Sequence, residues 1–280
     1  MAETRKVFVV LDPTTMEQAS LQWGEKIALD NRAHRSQDTH LHVYCCVNFK
    51  SVTAVAADTF EHVEAATLER VREWVNRIVT HTRSLGVPVD VEVEWDADWR
   101  KAIVGAVRRQ NPDVVIKNLT QHARLVRLVR DTSDWQLLRD CQCPVLLIKT
   151  GRLYGLKKIL VAVKHTEDEE YQAANRGIMA RAQGLADDFG AELHAVTCYD
   201  PDRRPDRQRF ADSFGLQRNQ VHAAMGKPEK VLASVAEEIG ADMLIIARVA
   251  RPESTGLLGD TARRVIDEIA TDVLVLPMNG

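Results

Sequence analysis

The chain has 280 residues, 45% of them hydrophobic and 28% charged, with a net charge of −3. That is ordinary for a soluble globular protein of one large domain or two small ones, and it gives no bulk electrostatic term for nucleic acid or anionic membrane. With no signal-peptide pattern, no run near the ~18–20 residues of a membrane span, and five cysteines outside any framework spacing, a reducing, cytoplasmic setting is expected.

The first half predicts a strand over 7–11, then a helix with Met16, Ala19, Trp23 and Ile27 on one face. A strand over 41–47 follows. A long helix over 58–85 comes next, with Val63, Val71, Trp74, Val75 and Ile78 as its apolar stripe and Gly86 and Pro88 at its end. The strand over 89–95 alternates Val89, Val91 and Val93 with Asp90, Glu92 and Glu94, the pattern of an edge strand with one wet face. A helix over 97–109, a strand over 113–117, a helix over 132–140 and a strand over 145–149 complete the half.

After a linker at 150–155 the pattern starts again. Strands are predicted over 159–163, 193–198, 221–224, 243–246 and 273–276, with helices over 168–189, 228–239 and 261–269. The second helix of this half is reduced: Pro201 and Pro205 interrupt it, and 207–214 is short and polar. The segments 5–12 and 156–163, 39–46 and 191–198, 111–117 and 240–246, and 144–148 and 272–276 match one another. A period near half the chain means a duplicated domain, 1–150 and 151–280.

Alternating α and β units with short apolar strands predict an α/β protein of two tandem, doubly wound, five-stranded parallel sheets. Such sheets bind ligands beyond the carboxyl ends of their strands. The residues there are Asp12 and Lys164 after the first strands, Asn48 and Asp200 after the second, and the segments from Asn118 and Ala247 after the fourth.

Several other groupings carry less. Residues four apart on a strand lie ~13 Å apart, so neither His42 with Cys46 nor His194 with Cys198 shares one ion; they read as buried strand members. His40 and His42 share a face but lack further ligands. Cys141 and Cys143 lack Cys-x-x-Cys spacing. Asp96, Asp98 and the acidic run 167–170 suit helix starts. Arg203, Arg204, Arg207 and Arg209, interleaved with aspartates, suit a solvated loop. No Ser–His–Asp elbow, Walker loop or dinucleotide fingerprint occurs, so no catalytic residue and no metal site is assigned.

Lys117, Gln121, His122, Arg124, Leu125, Asp134, Trp135, Leu137, Leu138, Arg139, Cys141, Pro144 and Val145 in the first half carry a family likeness. So do Phe214, Gly215, Gly259, Asp260, Thr261, Ala262, Val265, Ile266 and Asp267 in the second. Both halves resemble universal stress protein domains, and the pair resembles the tandem-domain branch of that family. The resemblance implies a Rossmann-like, adenine nucleotide alpha hydrolase-like fold and a cytoplasmic stress-response role. It also implies domains that pair through their last strands as an intramolecular pseudo-dimer, with room for a homodimer and for an unknown small ligand. It implies no specific reaction, and binding rather than turnover is expected.

Nucleotide-binding members of that family carry Gly-x2-Gly-x9-Gly-(Ser/Thr) after the fourth strand and an Asp at the end of the first. Glycines let main-chain N–H groups approach a phosphate, and a helix dipole favours the anion. In the second half Ala247 and Ala250 stand at the first two glycine places. Gly259 follows after eight residues, Asp260 replaces the Ser/Thr, and Lys164 replaces the Asp. Lys164, Ala247, Arg248, Ala250, Gly259, Asp260 and Thr261 are therefore candidates for a degenerate ATP site, with Lys164 and Arg248 offsetting the charge of Asp260. The alternative is a plain helix start with Asp260 as N-cap. The first half has Asp12 but no glycine between Lys117 and Thr150. There, Asp12, Lys117, His122, Arg124, Arg127 and Arg130, with Leu-Val pairs between the arginines, suggest an apolar strip edged with cations that suits an acyl chain with an anionic head group. The alternative is a surface loop packed at the domain interface.

Overall fold

Short, continuously apolar strands need cover on both faces, and helices supply it. A computed structural model of the protein describes residues 4–47, 60–119, 133–150, 155–202, 204–249 and 260–278. The chain divides into two compact units, Met1–Ile148 and Lys149–Gly280.

The first unit runs β1 (Arg5–Leu11), α1 (Ala19–Arg35), β2 (Thr39–Val47), α2 (Phe60–Ile78), α3 (Thr80–Ser84), β3 (Val89–Trp95), α4 (Trp99–Gln110), β4 (Val114–Asn118), α5 (Ser133–Asp140) and β5 (Val145–Ile148). Its strand order is β3-β2-β1-β4-β5, with parallel pairing throughout. The central strands are buried on both faces: Val7, Phe8, Val9, Val115 and Ile116 are all closed to solvent or nearly so. From β1 the chain steps out to β2 and then returns past β1 to β4, so the switch point lies between β1 and β4.

Three local features differ from the sequence expectation. Met16 is 89% exposed and lies ahead of α1, whose inward face is Leu21, Trp23, Gly24 and Ala28. The long helix is broken at Val79 into α2 and α3, and residues 58–59 lie outside the described ones. At the break the Thr80 hydroxyl donates to the Asn76 carbonyl at 2.8 Å, a back-bond that bends helices. The Arg32 guanidinium donates to the Leu85 and Gly86 carbonyls at 3.0 and 2.6 Å, closing the C-terminal end of α3. Finally, β3 is the sheet edge as expected, but its Glu92 and Glu94 are half-buried rather than freely solvated.

The second unit runs β6 (Lys158–Ala162), α6 (Glu169–Phe189), β7 (Glu192–Tyr199), α7 (Arg207–Ser213), a 3-10 turn (Arg218–Gln220), β8 (Val221–Met225), α8 (Pro228–Ile239), β9 (Met243–Val249), α9 (Asp260–Glu268) and β10 (Asp272–Met278). The order is β10-β9-β6-β7-β8, again parallel, with the switch point between β6 and β9. Helix ends follow their chemistry. Asp168 caps α6 by accepting from the Glu170 and Tyr171 N–H groups, and Asp206 caps α7 from Gln208 and Arg209. Pro228 opens α8, and Gly240 closes it at φ 63°.

Lys149 and Thr150 follow β5, at the start of the unit Lys149–Gly280. Their N–H groups donate to the Asp272 carboxylate at 2.8 and 2.9 Å. The Thr150 hydroxyl adds a third bond at 3.1 Å.

Candidate functional site

In the first unit the switch-point end is braced by its own polar groups. Asp12 leaves β1, and its Oδ1 accepts from the Thr14 N–H at 2.9 Å and the Thr14 hydroxyl at 2.5 Å. This is an Asx turn. The buried Gln18 amide donates to the carbonyls of Asp12 and Thr15 at 2.7 and 2.8 Å, while its Oε1 accepts from the Asp12 N–H at 3.1 Å. Asn118 leaves β4 and accepts the Ser20 N–H at 2.8 Å, tying β4 to the start of α1. Ser20 Oγ donates to the Val10 carbonyl at 2.9 Å. Lys117 is only 6% exposed. Its ammonium donates to the Asn118 carbonyl at 3.0 Å and lies 6.0 Å from the Trp99 ring centre. Asp12 and Lys117 thus stand at the ends of neighbouring strands, as Val10 pairs Lys117. His122, Arg124, Arg127 and Arg130, like Gln121, lie outside the described residues, as does Asn48.

In the second unit Lys164 follows β6. Its N–H donates to Asn175 Oδ1 at 3.1 Å, and Asn175 Nδ2 returns a bond to the Lys164 carbonyl at 2.7 Å. This reciprocal clamp fixes the backbone to α6. The exposed Lys164 ammonium lies 3.7 Å above the Tyr171 ring centre, a cation–π contact. The next residue, His165, has its N–H on Thr197 Oγ1 at 3.1 Å and its ring edge-on to Phe210.

Ala247 and Arg248 do not begin the loop, as the sequence reading had them. They lie inside β9, paired with Leu276 and Pro277 of β10, and the ladder runs on to Val249 and Met278. With alanine rather than glycine at 247, nothing favours leaving the extended conformation, and the strand continues alongside the apolar end of β10. Ala250 and Gly259 lie outside the described residues; Asp260 is the first residue of α9, and Thr261 is exposed on its first turn.

Away from the strand ends, the histidines find partners that the sequence reading missed. His194 on β7 sets Nδ1 3.0 Å from Nε2 of His222 on β8, and its Nε2 lies 3.1 Å from Glu192. The last contact lacks hydrogen-bond geometry and is an ion pair only when His194 is protonated, and Nε2 is buried. Burial first, and then mutual or nearby cations, push both imidazoles below their ordinary pKa. In the first unit His42 instead meets Glu92 at 2.8 Å, and His40 meets Asp90 at 3.1 Å. Burial works to raise the Glu92 pKa, but bonds from Arg109 and His42 outweigh it and hold the carboxyl low. The expectation of buried strand members holds for His194 and Cys46; His42 and Cys198 are half-buried. The sulfurs of Cys141 and Cys143 lie 3.1 Å apart. Period-two alternation on β7 and β8 was the available signal for the histidine pair: the register sets Val196 against His222, two residues from His194 on the same face.

Among the described residues no cluster of three His, Cys, Asp or Glu could hold a metal ion. Nor, among them, is any helix long and apolar enough to cross a membrane.

The sequence matches the model of the universal stress protein family over residues 3–149 and 202–277. Universal stress protein E of Escherichia coli K12 is 27% identical over 302 aligned positions, covering 99% of this chain and 95% of that protein. The protein of the same name from Photorhabdus laumondii is 24% identical, covering 100% and 97%. Among solved structures, one from Pseudomonas aeruginosa PAO1 superposes with a TM-score of 0.73 at 25% identity, covering 98% of this chain and 92% of that one. A universal stress protein from Archaeoglobus fulgidus shares the fold with a TM-score of 0.71 at 18% identity, covering 98% and 96%. More than half of the chain matches the family model, in both units, and this chain belongs to the universal stress protein family.

Proposed function

We propose that the chain serves a bacterial stress response in the cytoplasm by binding a ligand or partner, without turnover. The observation that carries this reading is the extension of β9. A phosphate cradle needs main-chain N–H groups turned toward the anion, whereas Ala247 and Arg248 sit in a paired strand. A second reading, a nucleotide-dependent switch or weak ATPase in the second unit, is favoured by the exposed Lys164 ammonium and by α9 starting at Asp260, directly after Gly259. A thermal-shift titration with ATP and Mg²⁺ separates them. Pure partner binding predicts no change in melting temperature. A rise of several degrees at millimolar ATP, abolished by Gly259→Val, establishes the nucleotide reading instead. Native mass spectrometry of the freshly purified chain tests the acyl-ligand reading of the 121–130 strip: a co-purified lipid supports it, and a bare chain removes it.

A further inference from the structure

The turn between α5 and β5 holds two thiols against each other. Cys141 completes the last turn of α5, its N–H donating to the Leu137 carbonyl at 2.9 Å. The Pro144 carbonyl accepts the Val115 N–H at 2.9 Å and fixes the entry to β5. Between these anchors the chain bends at Gln142 and Cys143, and the two sulfurs come to 3.1 Å. Cys141 is buried and Cys143 partly open. The other three of the five cysteines are placed differently. Cys45 and Cys46 are consecutive on β2 and so point to opposite faces, and Cys198 lies on β7 of the other unit. A disulfide needs sulfurs ~2.05 Å apart, so closure asks about 1 Å of two side chains in a turn. The site lies at the amino end of β5, whereas the braced switch point lies at the carboxyl ends of β1 and β4.

We propose that Cys141 and Cys143 form a reversible dithiol–disulfide couple that exchanges with low-molecular-weight disulfides. The Cys143 thiolate attacks a disulfide RSSR, forming a mixed disulfide and releasing RS⁻, which takes the proton that Cys143 gave up. The Cys141 thiolate then attacks the Cys143 sulfur, closes the ring and releases the second RS⁻, which is likewise protonated. The protein loses two electrons and two protons, and RSSR becomes two RSH. The contact with Cys141, burial and the charge of Asp113 push the Cys143 thiol above its ordinary pKa. The exchange is therefore slow and stoichiometric rather than that of a catalytic thiolate.

The test uses the reduced full chain in buffers of oxidised and reduced glutathione at about pH 8.5, near the free-thiol pKa. After acid quenching the chain is unfolded, alkylated and weighed intact, and its peptides are mapped. The expected result is the loss of two of the five alkylatable thiols, a Cys141–Cys143 linked peptide, and full recovery on adding excess reduced glutathione. Cys141→Ser should stop at a mixed disulfide on Cys143, and Cys143→Ser should keep every remaining thiol. Melting temperatures near wild type establish that the variants fold; should Cys141→Ser not fold, the wild-type map and the more open Cys143→Ser decide. A wild-type chain that keeps all its thiols across the titration overturns the proposal. So does one that accumulates a stable mixed disulfide at Cys143 without ring closure.

Discussion

Asp272 offers the sharpest test of how the second unit is held together. It is 1% exposed, and its Oδ1 accepts three bonds: the Lys149 N–H, the Thr150 N–H and the Thr150 hydroxyl. Asp272→Ala strips the acceptor and leaves two main-chain donors without it. A fully buried orphan donor costs about 1–3 kcal/mol. Thr150 is exposed and Lys149 only partly covered, so water relieves some of that, and the low end applies to each donor. The sum is about 2–3 kcal/mol, a large share of the ~5–15 kcal/mol that holds a domain. In urea, with a slope of about 1–3 kcal/mol per molar, the midpoint should fall by roughly 0.7–3 M. Asp272→Asn keeps a carbonyl acceptor in the same place and should stay within about 1 kcal/mol of wild type. The sign of its pH dependence is fixed. Burial leads the effects on Asp272 and raises its pKa above 3.8, against the hydrogen bonds that lower it. The stability this group contributes is full below 3.8 and declines as pH rises through the raised value. The asparagine variant should therefore gain on wild type over that rise. Urea unfolding followed by circular dichroism measures all of this. An Asp272→Ala midpoint indistinguishable from wild type would refute the argument that this carboxylate anchors Lys149 and Thr150.

Three further outcomes are expected. Both His194 and His222 titrate below 6.5 when folded, so the unfolded chain takes up protons first and stability falls as pH drops from 6.5 through the lowered values. Glu192 and Glu238 oppose that fall, while Lys158 and Arg207 reinforce it. His222→Gln should flatten the slope by up to about 1.4 kcal/mol per pH unit, the limit for one proton, in melts between neutral and mildly acid buffer. Leu138→Ala on α5 empties a site 1% exposed and should cost about 2–5 kcal/mol in denaturant unfolding. Lys164→Ala removes an exposed cation and should barely move the melting temperature, yet weaken any anion held at the second unit's switch point roughly tenfold by calorimetry, the scale of one charged contact.

What the sequence made legible was what repeats and what alternates. Strand β3 is bounded as its Val and Glu alternation indicates, and helix α8 runs from Pro228 to Ile239 as read. Apolar runs such as Met243–Ile246 located the central strands because burial on both faces demands them. Local sequence was a poorer guide wherever an end is fixed from elsewhere. Met16 fits the stripe of α1 by spacing, but the Asp12–Gln18 hydrogen bonds hold residues 12–18 as a loop and leave it in water. The break at Val79 is a local one, with the Thr80 hydroxyl on the Asn76 carbonyl while the Val79 and Arg83 N–H groups keep their helical acceptors. The extension of β9 through Val249 depends on a partner strand that reaches Met278, far along the chain. At the candidate site, Asp12 and Lys164 were visible as positions, but their engagements with Thr14, Asn175 and Tyr171 were not. Nor was His222 visible as the partner of His194, because that contact depends on the register between β7 and β8.

The duplication makes the two units each other's control. The same scaffold places a histidine on the strand next to the edge in each: His42 facing Glu92, and His194 facing His222. A histidine facing a carboxylate keeps an attraction when it gains a proton, whereas two facing imidazoles repel once both are charged. In the first pair Arg109 and His42 hold the Glu92 carboxyl below its ordinary pKa, so it keeps its charge to lower pH than a free glutamate. The second pair loses its shared hydrogen bond to the second proton. The strand ends diverge in the same way, with an aspartate turned into its own loop in one unit and a lysine ammonium over a tyrosine in the other. Equivalent positions thus carry opposite charge on equivalent backbone. On the proposed binding reading, a charged ligand that suited one strand end would be repelled at the matching place in the other, so charge rather than the shared fold would set which unit takes it.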